Sequence, residues 1–99
     1  MVHILTLHVV PFNKAAAFRT AFGPNGLWRN LQPEMLGIDL LSSQSTPTLF
    51  VAIELWPSRE AHLTAQNSPS WPTLLRFRQS LTLVSIDLGS YFLTPLLQL

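Results

Sequence analysis

Three histidines, three tryptophans, one tyrosine and a few arginines are the residues of this 99-residue chain that could act on a small molecule. There is no cysteine, which excludes a thiol nucleophile, a disulfide and a thiolate metal site. His62 lies in "SREAHLTAQNSPSW" on a predicted helix that Ser58 can cap, with Glu60 near the positive helix end. An imidazole titrates near neutral pH, so His62 is a candidate general base. The competing role is a surface or helix-capping histidine. His8 is the second candidate, on the more polar face of "HILTLHVV", turned to the same cavity or to a subunit interface. Arg78 shares a helical stripe with Leu74 and Leu81, where a guanidinium can anchor an anionic oxygen; an ion pair with Asp87 or Glu54 is its alternative. Trp71, Trp56 and Tyr91 complete the candidate ligand pocket, against a purely structural role as core or interface anchors. Trp28 is expected to pack under the neighbouring "GPNG" loop, and His3 to be exposed. Histidines without a His-x-His spacing make a poor metal site, so no metal is expected.

The elements that must hold these groups follow from periodicity and turn chemistry. "HILTLHVVP" (3–11) reads as a strand apolar on both faces, with Leu5, Leu7 and Val9 on one and Ile4, Thr6, His8 and Val10 on the other. Asn13 is a plausible cap for "KAAAFRTAF", and "GPNG" (23–26) should break that helix before it resumes briefly. "LGIDLLSS" (36–43) and "TLFVAIELW" (48–56) are two strands joined by a turn. A helix follows Ser58, Ser68-Pro69 starts another, and "SIDLGSYFL" (85–93) is the last strand. The order is β-α-β-β-α-β: one α+β, ferredoxin-like domain over 1–99 with a tail at 94–99.

Composition sets the partners. The chain is 47% hydrophobic and 11% charged, against about 25% charged in an ordinary domain. One small core cannot hide so much apolar surface, and a sheet apolar on both faces needs a second cover. A homodimer is expected, two sheets facing each other as a dimeric α/β barrel. A net charge of +1 with scattered basic residues offers no footprint for nucleic acid. Apolar runs far below about 20 residues argue against a membrane span. The start "MVHILTLHVV" lacks a basic leader and cleavage site, so a cytoplasmic protein is expected.

A strand ending in Trp56, then Ser58, Glu60-Ala61 and Ser68-Pro69, preceded by "LQPEMLGIDLLSS" (31–43), resembles the antibiotic biosynthesis monooxygenase-like family. The resemblance covers about residues 1–93. It implies cofactor-free oxygenation, in which a deprotonated phenolic or quinol-like substrate reduces oxygen directly, with no metal or flavin. The family pattern has a histidine three residues before the Ser-Pro, where this chain has Ala65; His62 lies one turn earlier. A barrel that binds an apolar molecule or only assembles is the alternative.

Overall fold

Strand β1 (Val2–Val9) and strand β3 (Leu49–Trp56) alternate buried and half-buried side chains along their whole length, because helices cover one face of each. The computed structural model describes residues 1–93, so the expected tail at 94–99 lies outside the described residues. β1 and β3 form the centre of an antiparallel sheet of order β2-β3-β1-β4, with β2 (Gly37–Ser42) and β4 (Val84–Tyr91) at its edges. Each crossover is a pair of helices: α1 (Ala15–Phe22) with α2 (Leu27–Asn30), and α3 (Arg59–Gln66) with α4 (Trp71–Leu81). The architecture is the α+β ferredoxin-like arrangement.

Three local features decide where the helices begin and end. Ser58 caps α3 as expected, its Oγ accepting from the Ala61 N–H at 3.1 Å. Asn13 does not cap α1. Phe12–Lys14 forms a 3₁₀ turn after Pro11, and α1 begins at Ala15 without a side-chain cap. Proline fixes its own φ and suits the start of a tight turn, and the Pro11 carbonyl accepts from the Lys14 N–H at 2.9 Å. The second corrected start is that of α4, which begins at Trp71 rather than Ser68-Pro69. Pro72, having no N–H to leave unpaired, fits the first turn there. Ser68 and Ser70 share a hydrogen bond of 3.0 Å across the intervening turn.

The "GPNG" segment separates α1 from α2, as its turn-formers predict. Gly26 is required there by close approach: a Cβ would sit 2.2 Å from the Ala21 carbonyl oxygen. This tight return delivers Trp28 into the core, stacked on Phe22 at 4.7 Å, with Phe22 stacked on Phe18 at 4.4 Å. The remaining core comes from the covered sheet face, including Ile4, Ile38, Phe50 and Trp56.

The other sheet face carries Leu5, Leu7 and Val9 of β1 beside Val51, Ile53 and Leu55 of β3, all half-buried in the single chain. A bulge then changes the phase of β4. The register against β1 shifts between Leu5 and Thr6, and Gly89 takes a φ of 98°. The Asp87 carboxylate accepts from the Gly89 N–H at 2.8 Å and braces the bulge. Ser85 and Asp87 stay opposite His8 and Thr6, under the helices, while Tyr91 falls opposite His3 on the open face. Among the described residues no helix is long and apolar enough to cross a membrane.

Candidate active site

An acid sits where strand alternation demands an apolar residue. Phe50, Ala52, Glu54 and Trp56 share the covered face of β3, and Glu54 is only 7% exposed. A carboxylate in such a place costs several kcal/mol unless it is hydrogen-bonded. Both oxygens are satisfied: the Trp28 indole N–H donates to Oε2 at 2.9 Å and the Trp56 indole N–H to Oε1 at 2.8 Å. Two tryptophans from different elements are thereby fixed around one acid.

Beside this clamp a cavity of about 130 Å³ lies between the sheet and the helices. Trp28, Trp71 and Arg78 wall one side, and His62 and Gln66, one turn apart on α3, wall another. The sheet supplies Thr6, Glu54, Ser85 and Asp87 as its floor. His62, Gln66 and Asp87 also border an open surface depression of about 290 Å³.

His62 meets Trp56 edge-on, with ring centroids 5.1 Å apart. Partial burial holds its pKa below the ordinary histidine value, while the nearby carboxylates of Glu54 and Asp87 pull it partly back up. The imidazole is therefore neutral at pH 7 and able to accept a proton, and those two carboxylates favour the imidazolium that results.

Arg78 does not form the ion pair its sequence position suggests. Its guanidinium lies 5.7 Å from the Trp28 ring centre and 6.0 Å from that of Trp71. Its Nε is buried without a hydrogen-bond partner among the described residues. Loss of hydration lowers its pKa, and the fields of Glu54 and Asp87 oppose that shift. Aromatic faces attract the cation without consuming its donors, so N–H groups remain for an incoming oxygen.

The other residues singled out in the sequence fall elsewhere. Trp56 is fully buried behind Glu54 and supports the cavity without lining it. The β4 bulge removes Tyr91 to the opposite sheet face, where its hydroxyl bonds the Leu88 carbonyl. His8 reaches the cavity only through Ser85, with which its Nδ1 shares a hydrogen bond of 2.7 Å. His3 is half-buried rather than exposed. Ala65 packs against the core. Trp28 does more than fill space under a loop, since it both lines the cavity and anchors Glu54. Glu54, Gln66 and Gln32, which also lines the cavity, carry no local motif that marks them as site residues. The isolated acid in the buried phase of β3 was the available signal for the first.

No protein-family model matches the chain, and no curated protein matches it in sequence. Solved structures do share its fold. SnoaB, a cofactor-independent oxygenase from Streptomyces nogalater, superposes with a TM-score of 0.69 at 21% identity, covering 97% of this chain and 95% of that one. A candidate antibiotic biosynthesis monooxygenase from Bordetella bronchiseptica gives 0.78 at 12% identity, covering 95% and 97%. Another, from Deinococcus radiodurans, gives 0.68 at 16%, covering 100% and 98%. The chain thus has the fold of antibiotic biosynthesis monooxygenases.

His8 gives this arrangement a pH signature. It is 2% exposed, against Phe18 and Phe22 with centroids at 5.1 and 5.5 Å. Burial first, and the Arg78 charge second, lower its pKa from 6.5 to about 4. Between those values the unfolded chain binds a proton that the folded chain does not, so stability falls as the pH drops through that window. The loss should reach about 3 kcal/mol near pH 4. Denaturant unfolding at a series of pH values should show it, and His8→Gln should flatten the slope to the smaller contribution of His62.

Proposed function

We propose that the protein is a cofactor-independent monooxygenase acting on an aromatic, quinol-like small molecule, assembled as a homodimer. The observation that carries the reading is a neutral imidazole and a guanidinium, its Nε without a partner among the described residues, on the wall of one cavity with two tryptophans. The shared fold with SnoaB supports it. In this reading a quinol hydroxyl gives its proton to His62, and Arg78 holds the oxyanion that forms. The electron-rich ring carbon then bonds to dioxygen, the O–O bond breaks, and water leaves. One quinol and one dioxygen become one hydroxyquinone and one water, and the substrate supplies all four electrons. The side chains need only bind, move a proton and stabilise charge.

Changing His62 to Ala should lower turnover by about 10²–10⁴-fold, the usual contribution of one acid–base group. Oxygen uptake on a panel of quinols and anthrols, wild type beside variant, measures it. With wild type the rate should fall on acidification with an apparent pKa below 6.5, since the base must be unprotonated. Equal rates for the two proteins would remove His62 from the mechanism. A non-catalytic barrel that only binds an apolar molecule draws support from Ala65, which stands at the histidine position of the family pattern. Wild type taking up no oxygen with any compound would favour that alternative.

The dimer reading rests on the open sheet face, where six aliphatic side chains of the two central strands stand uncovered by helices. Contiguous apolar surface of this kind marks an association site. Val51→Asp would place an unpaired carboxylate in that contact, at a cost of several kcal/mol. The variant should be insoluble or monomeric in sedimentation, where wild type sediments as a dimer. A stable wild-type monomer at micromolar concentration would contradict the reading.

A further inference from the structure

The inner wall of the cavity is set by groups that cannot easily move. At about 130 Å³ the cavity compares with one of roughly 150 Å³ that admits benzene, and falls well short of the roughly 300–1,000 Å³ of pockets for larger ligands. Its inner wall is rigid, because Trp28 is stacked on Phe22 and bonded to Glu54, whose other oxygen is bonded to the fully buried Trp56. Withdrawing Trp28 to make room would break a charge-assisted hydrogen bond inside the core. The walls are also polar: Thr6 and Gln66 present a hydroxyl and an amide that a hydrocarbon ring would leave unpaired, whereas the Gln32 amide already donates to the Trp28 carbonyl and the Ser85 hydroxyl already bonds His8. Arg78 has a buried donor, Nε, without a partner among the described residues. The carboxyl groups of Glu54 and Asp87 face the same space and disfavour a ligand that arrives already carrying a carboxylate or phosphate.

We infer that the site takes a single-ring, oxygen-rich compound bearing a neutral but acidic hydroxyl, seated with that oxygen at Arg78 beside Trp28 and Trp71, and that fused three-ring aromatics are excluded. This narrows the substrate class of the oxygenase reading and rests on that reading for the reaction, but not for the binding. Nitrogen-15 NMR of the wild-type protein under nitrogen gas tests it without turnover, using methylhydroquinone, 4-hydroxybenzoate, toluene and an anthrol. Methylhydroquinone should shift the Trp28 and Trp71 indole N–H signals saturably, and bind more tightly than 4-hydroxybenzoate or toluene; the anthrol should cause no saturable shift. Arg78→Gln should weaken methylhydroquinone binding about tenfold or more. The size series is read on wild type, so it stands whether or not that variant folds. Anthrol binding as tight as that of the single ring, no saturable shift with methylhydroquinone, or a folded Arg78→Gln protein of unchanged affinity would each overturn the inference. Oxygen uptake in air separates the two claims. Binding of the single ring without uptake contradicts the oxygenase reading alone, and uptake with the anthrol but not the quinol contradicts this inference alone.

Discussion

A carboxylate enclosed by indoles organises this protein. Glu54 is buried on the central strand β3, and its two oxygens accept from Trp28 and Trp56. Desolvating a carboxylate costs several kcal/mol, while hydrogen bonds to a charged group return about 1.5–3 kcal/mol each. Two such bonds roughly offset the burial, and either one alone does not. The acid and the two tryptophans therefore stand or fall together. Through Trp28 the clamp sets one wall of the cavity and one of the two rings over which Arg78 lies. Through Trp56 it sets the ring against which His62 rests.

The sheet separates two tasks by face. The covered face mixes aromatic and aliphatic groups with Thr6, His8 and Glu54 and floors the cavity. The open face is aliphatic along both central strands and suits association with a second copy. One glycine bulge in β4 keeps the two apart, holding Ser85 and Asp87 on the covered face and turning Tyr91 to the other.

Most of the fold was legible because it follows from local rules. Strand alternation, the helix break at "GPNG" and the Ser58 cap each depend on residues a few positions apart. The failures have equally specific causes. Asn13 looked like a cap, but Pro11 starts a tight turn that uses the residues around it. Two prolines compete to start α4, and Pro72 rather than Pro69 lies in its first turn. Tyr91, a pocket candidate, stands on the open face because a bulge flips every later side chain, and its position depends on pairing with β1. The site was legible only in part. His62, Trp71 and Arg78 are brought together on the cavity wall. The bond between Trp28 and Glu54, 26 positions apart, has no local signature. Glu54 on the buried side of its strand still signalled that partners must exist.

The most direct test of the clamp is the denaturant unfolding of Glu54→Gln beside wild type, read together with the indole N–H signals. An amide offers one oxygen where the carboxylate offers two, so one indole must lose its acceptor. The account predicts a loss of about 1–3 kcal/mol and displacement of the Trp28 or Trp56 indole resonance toward that of an unbonded group. A variant as stable as wild type, with both indole signals unmoved, would contradict it.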